Sequence, residues 1–282
     1  MEVTSPRSLA DALEELAAEP GAVPLAGGTD LMVAVNFGRE RPARVLALRR
    51  VEELRELSLN GRVRCGAGVT YTRLLEAVRD PAMVQAARTV GSPQIRNAGT
   101  LGGNLGTCSP AGDTLPVLAA LDADVVLRSA AGGERRLKLG EWMRRPKKSA
   151  RHPEELVVAA EWDAAGPAQA FLKAGTRNAM VIAVANLALV VDRIRRRVGV
   201  ATGSVGPTIV RASAAEEFAR ELFTEAGWDR PHQPSPAAAE RFGQLCAEAA
   251  APIDDVRGTA AYRRHMVAVM ARRALARTAS TI

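Results

Sequence analysis

The chain has 282 residues, 47% apolar and 24% charged, which suits a globular protein with a sizeable core and one to three domains. Its formal charge of +7 and pI near 10.0 fit an arginine-rich surface, an anionic cofactor, nucleic acid or an acidic partner, while 4% aromatics argue against stacking platforms for single strands. Three scattered cysteines, Cys65, Cys108 and Cys246, argue against a disulfide framework and against a metal or iron–sulfur site held by this chain alone. The acidic N-terminus is no signal peptide and no apolar run is long enough to span a bilayer, so the expected compartment is the cytoplasm.

In chain order, SLADALEELAAE (8–19) reads as a helix with Leu9, Leu13, Leu16 and Ala17 on one face, Ser8 as its N-cap and Pro20-Gly21 as its stop. AVPLA (22–26) is a short strand running into GGTD; LMVAVNF (31–37) is helical and RVLAL (44–48) a strand. RVRCGAG (62–68) is a strand ending in glycines, followed by helices in YTRLLEAVRD and PAMVQAARTVG. DTLPVLAALD (113–122) is a short helix, ADVVL (123–127) a strand, and GGERRLKL a hairpin. RRPKKSARHP (144–153) reads as a solvated basic connection in preference to a phosphate-contacting patch. ELVVAAEW, PAQAFLKAG, MVIAVANLALVVD and RRVGVATGSVG are strand-like, and the last three suggest an antiparallel sheet. Three helical stretches, beginning at SAAEEF, SPAAAE and TAAYRR, finish the chain. A composition shift near residue 168 marks a domain boundary.

Two glycine loops stand out. AGGTD (26–30) lies between a strand and a helix, where glycines turn main-chain N–H groups toward one point. Alone it serves a tight turn as well as an anion cradle. GTLGGN (99–104) repeats the pattern with a hydroxyl at Thr100 and an amide at Asn104. Neither is a GxxxxGK[ST] or a GxGxxG loop, and neither contains a lysine, which disfavours phosphoryl transfer. The pair fits the two ends of a pyrophosphate that is held but not transferred.

PLAGGTDLMV (24–33), GSPQIRNAGTLGGNLGTCSPAGDTLPVLAALDADVVL (91–127), FLKAGTRNAMVIAVANLAL (171–189), GSVGPTIVRASAAE (203–216) and YRRHMVAVMARRAL (262–275) together resemble the FAD-binding subunit of the molybdenum hydroxylases. That family includes the flavin subunits of xanthine dehydrogenase and of aerobic carbon monoxide dehydrogenase. The resemblance implies an α+β fold: two α/β subdomains of the PCMH/vanillyl-alcohol-oxidase type (1–56 and 57–168), then a three-stranded antiparallel sheet with helices (169–282).

The resemblance also implies FAD as cofactor. Pro24, Leu25, Ala26, Gly27, Gly28, Thr29, Asp30 and Leu31 would share its diphosphate with Thr100, Leu101, Gly102, Gly103 and Asn104. Asp113 would accept from a cofactor hydroxyl, the alternative being an N-cap for the helix after it. Lys173 would lie near the flavin edge, with Val90 and Val157 packing on the cofactor. No catalytic side chain and no metal ligand are expected here. The partners implied are a large molybdopterin-binding subunit and a small two-iron two-sulfur subunit, as a dimer of heterotrimers passing electrons to NAD, a quinone or oxygen. The family's acidic residue before Ile-Ala is absent: Met180 and Val181 precede Ile182-Ala183. The alternatives are a self-sufficient FAD oxidoreductase, for which Cys108 is a conceivable attachment point, and a basic nucleic-acid or scaffold protein resting on RIRRRV (193–198) and the last helix.

Overall fold

The computed structural model describes residues 1–281. It begins with β1 (Glu2–Thr4), α1 (Leu9–Ala18), β2 (Val23–Leu25), α2 (Leu31–Asn36) and β3 (Arg44–Ala47). The strands make a parallel sheet in the order β1-β3-β2, with β1 the strand that no sequence pattern announces. Ser8 caps α1 by accepting from Asp11 N–H at 3.1 Å. The helix buries Leu9, Ala12, Leu13 and Leu16, whereas Ala17 faces solvent.

Next come β4 (Leu57–Ser58), β5 (Arg62–Gly66), α3 (Tyr71–Ala77), α4 (Pro81–Thr89), α5 (Pro93–Ala98), α6 (Leu101–Thr107) and α7 (Thr114–Ala120). They are followed by β6 (Asp124–Ser129), β7 (Gly132–Lys138), α8 (Leu139–Trp142), β8 (Met143–Arg145), β9 (Lys148–Ser149) and β10 (Leu156–Asp163). Five strands form an antiparallel sheet, β4-β5-β10-β6-β7, around the buried β10. The basic run 144–153 contains a two-stranded hairpin, β8–β9, where a plain connection is expected.

The third unit is β11 (Gln169–Ala174), β12 (Ala185–Asp192), β13 (Arg197–Gly203) and the two-residue β14 (Val210–Arg211), an antiparallel sheet of three long strands plus a short fourth. The helices α9 (Ser213–Ala226), α10 (Pro236–Ala249) and α11 (Ala260–Ala279) complete it, with α10 and α11 capped by Ser235 and Thr259. The sheet is a wall with both faces covered. Leu187, Leu189, Val191, Val198 and Val200 pack toward α9–α11, while Phe171, Ala188, Val190 and Ala201 join the core of the preceding domain. Period-two alternation thus supplies two apolar faces, which is why β12 reads as a continuous apolar run. Gly199 lets α7 press on the wall, since a Cβ there would overlap Ala120 O.

β12 begins at Ala185, so residues 180–184 are loop and not strand as their apolarity suggests. The reason is partner length. β11 ends at Ala174, which pairs with Ala185, and nothing extends the ladder further. Met180 takes a left-handed backbone, φ 51°, and Arg177 gathers the carbonyls of Ala179 and Met180.

Candidate functional site

A cavity of about 1120 Å³ opens between the first two sheets and the C-terminal wall, just above the usual range of about 300–1,000 Å³ for small-molecule sites. It is lined by Pro24, Leu25, Ala26, Gly27, Gly28, Thr29, Asp30, Leu31, Val90, Thr100, Gly102, Gly103, Asn104, Asp113, Val157 and Lys173. Leu101 is the exception among the expected residues. Its side chain is fully buried in the core, and its N–H donates to Val69 O at 3.1 Å.

The first loop leaves β2 and enters α2. Gly28 needs its freedom, with φ +70°. Gly27 is required by contact, because a Cβ would overlap Ala98 O and crowd Gly99, so this loop lies directly on the backbone leading to the second. Among the described residues, the N–H groups of Gly27, Gly28, Thr29 and Asp30 have no protein acceptor. Unpaired donors at a cavity wall, half-buried at residues 27–29 and exposed at Asp30, call for a ligand or water acceptor.

The second loop is built differently from expectation: it is the first turn of α6. Thr100 is the N-cap and accepts from Gly103 N–H at 2.9 Å. Gly102 N–H goes to Ala67 O at 2.9 Å and Asn104 N–H to Thr100 O at 3.1 Å. All four amides from 101 to 104 therefore have acceptors within the protein, while Thr100, Gly102, Gly103 and Asn104 line the cavity. The Thr100 hydroxyl, an acceptor in the cap, still has its own proton to give. Gly102 is small because a Cβ would collide with Ala67, which makes it a packing residue, while Gly103 stands near Ala26 of the first loop. Thr107 Oγ1 donates to Asp30 Oδ2 at 3.3 Å, a second tie between the loops. Gly112 makes room for the Asn104 side chain, whose Oδ1 accepts from Thr114 Oγ1 at 2.8 Å.

Asp113 occupies the N-cap position of α7 but makes no capping bond. Its carboxylate instead accepts from Lys173 Nζ at 2.6 Å on Oδ2 and from Asn186 Nδ2 at 3.1 Å on Oδ1. The Thr89 hydroxyl lies 3.1 Å from Oδ2 and 2.8 Å from Ala86 O, and its single proton serves one of the two. Burial pushes the Asp113 carboxyl above its ordinary value, and the charge and hydrogen bond of Lys173, then Asn186 and Thr89, only partly offset it. The apolar walls are Val90, Leu156 and Val157, with Met180, Val181 and Ile182 at the loop that lacks the family's acidic residue.

Sequence reasoning missed several groups here. Lys147 and Arg151 of the basic run line the cavity, Lys147 exposed at its mouth and Arg151 half-buried. Burial lowers the Arg151 guanidinium, which donates to the carbonyls of His152, Pro153 and Glu155. The signal available was the Lys-Lys pair after Pro146, which charge counting alone cannot separate from a surface loop. Tyr71 carries no motif, and Asn186, although inside the 171–189 run, is assigned no role by the resemblance.

Cys108 is now placed. It is the left-handed C-cap of α6, buried, with Sγ 3.5 Å from Lys148 O and a thiol pushed up to about 11 by burial. It anchors the β8–β9 hairpin and is unsuited to covalent attachment. His152 and His265 are exposed, whereas His232 packs edge-on against Phe223. The RIRRRV run is a strand turn whose Arg195 pairs with Asp192 at 2.8 Å, and α11 is an amphipathic helix that buries Arg263, Val267 and Met270. No metal-binding cluster and no helix long and apolar enough to cross a membrane occur among the described residues.

Comparison with known proteins matches this geometry. Residues 1–161 match the family described as FAD binding domain in molybdopterin dehydrogenase, and residues 169–278 the CO dehydrogenase flavoprotein C-terminal domain. The chain is 36% identical over 200 residues to the nicotinate dehydrogenase FAD-subunit of Eubacterium barkeri, covering 65% of this chain and 66% of that one. It is 26% identical to a putative xanthine dehydrogenase FAD-binding subunit of Escherichia coli, covering 95% and 92%. Among solved structures, a carbon monoxide dehydrogenase from Hydrogenophaga pseudoflava superposes with a TM-score of 0.86 at 25% identity, covering 99% of this chain and 96% of that one. Unpaired loop amides, apolar walls and a buried donor–acceptor pair suit a large planar cofactor with a diphosphate, and with these matches the chain belongs to the FAD-binding flavoprotein subunits of the molybdopterin-dependent dehydrogenases, which are oxidoreductases.

Proposed function

We propose that this chain is the electron-transfer subunit of a molybdopterin-dependent hydroxylase or dehydrogenase complex. The observation that carries the proposal is the convergence of the unpaired 27–30 amides, the Thr100 hydroxyl and the Asp113–Lys173 pair on one cavity. The first-loop amides and Thr100 hold the FAD diphosphate. Asp113 Oδ1, with one lone pair left after Asn186, accepts from a cofactor hydroxyl, and Lys173 keeps an N–H for the flavin edge. Val90 and Val157 exclude water from the ring. Bound FAD exchanges one or two electrons, which suits it to link a small two-iron two-sulfur subunit to an acceptor such as NAD, a quinone or oxygen.

The large molybdopterin-binding subunit would carry substrate chemistry, the three would assemble as a dimer of heterotrimers, and the compartment would be the cytoplasm. The names of the relatives, an FAD-subunit and a carbon monoxide dehydrogenase medium chain, support a multi-subunit setting. The test is purification of the chain alone with FAD, followed by assay with and without the molybdopterin and iron–sulfur subunits. Flavin bands without substrate oxidation, and activity only in the complex, are expected; turnover by the chain alone would favour the self-sufficient oxidoreductase.

A further inference from the structure

Asn186 lies outside the cavity, yet it is built toward it. The strand register sets Asn186 opposite Lys173 on β11 and opposite Gly203 on β13, all on the face of the wall that meets α7. Its Nδ2 donates to Asp113 Oδ1 at 3.1 Å. Its Oδ1 is buried with no partner. A Cβ at position 203 would overlap that same oxygen, so glycine there keeps the amide's place open. A buried amide with one half unsatisfied is a cost that a leucine of similar volume would avoid. The compensating bond is the one to Asp113. The opposite amide orientation would set oxygen against carboxylate, so the flip state is fixed by the same contact.

We infer that Asn186 is a positioning residue of the FAD site, holding the Asp113 carboxylate ionised and aligned in its pair with Lys173. The inference rests on the placement of Asp113 and Lys173 at the cofactor. Asp113 meets Lys173 from β11, Asn186 from β12 and Thr89 from the end of α4, and the buried Tyr71 of α3 lies close enough to feel its charge. Lys173 is the one cation in this set. Burial already pushes the carboxyl toward its protonated form. Loss of the amide donor lets the proton bind, which leaves the ammonium of Lys173 uncompensated beside the flavin.

The experiment compares the midpoint potential of bound FAD in wild type, Asn186→Leu and Asn186→Asp, with infrared spectra of the FAD-free proteins. The leucine variant should show one more protonated carboxyl and an upward shift in potential. In the aspartate variant the introduced carboxyl shares a proton with Asp113, which retains both a donor and the net charge, so its potential should stay near wild type. A merely space-filling role predicts the reverse order, because leucine fits an apolar wall better than a second carboxyl. Asn186→Val serves if the leucine variant does not fold. An unchanged potential in the leucine or valine variant, or a larger shift in the aspartate variant, overturns the inference while leaving the cofactor site standing. Wild-type protein that retains no FAD overturns both.

Discussion

Gly27 and Gly106 line the same cavity but answer to different constraints. A Cβ on Gly27 overlaps the backbone of Ala98, whereas one on Gly106 meets nothing within 4 Å. Gly27→Ala must push the two loops apart. If the overpacking of about 1–3 kcal/mol falls on the bound form, FAD affinity drops by about 5- to about 150-fold. Gly106→Ala should keep near wild-type flavin content, and absorbance of the bound flavin per mole of protein reads both. Asp113→Ala is the severer change. It strands Lys173 in a buried site, at a cost of about 3–5 kcal/mol in urea unfolding. The thiols offer a check on burial: Cys65 and Cys108 are pushed up to about 12 and about 11, and Cys246 also rises. None should react with a thiol reagent at neutral pH until the protein unfolds.

Among elements, β10 contributes to the pH dependence of stability through Glu161. Burial alone would raise Glu161, but Arg136 at 3.2 Å and Arg64 outweigh it, and the carboxyl sits below its ordinary value. A folded value below the unfolded one contributes stability above the unfolded value of 4.5, and that contribution is lost as pH falls through the folded one. The unfolding midpoint should therefore drop on acidification below pH 4.5, and a double Arg64→Gln, Arg136→Gln variant should show a shallower drop. Asp113 works in the opposite sense: its raised carboxyl favours folding most at acid pH and loses that advantage as pH rises through the folded value.

Elements with local signals were legible in the sequence. Ser8, Ser235 and Thr259 each announce a helix because a cap is a contact within one turn. LGGNLGT was not legible as helix. Its glycines oppose helix formation, and only the Thr100 cap and the contact with Ala67 make α6. Nor could residues 180–184 reveal that their partner strand stops at Ala174. The site divides the same way. Loop residues show in a motif, while Asn186 and Lys147 owe their places to strand register and to a hairpin docked on Cys108.

At the scale of the molecule, the Asp113–Lys173 pair joins the two matched domains at the cavity, so under the proposed function binding and domain docking are linked. Saturating FAD at about a hundred times its Kd adds about 2.7 kcal/mol, a rise of about 5 °C or more in the melting midpoint. Calorimetry should show one shared transition that moves as a unit, because the central sheet belongs to both cores.

That two-faced sheet also sets an order of events during synthesis. Domains emerge N-terminal first, so the cofactor half leaves the ribosome with α4 and α7 uncovered, awaiting Phe171, Ala188, Val190 and Ala201. The nascent chain thus passes through an interval in which an apolar face is exposed and Lys173 has yet to join Asp113.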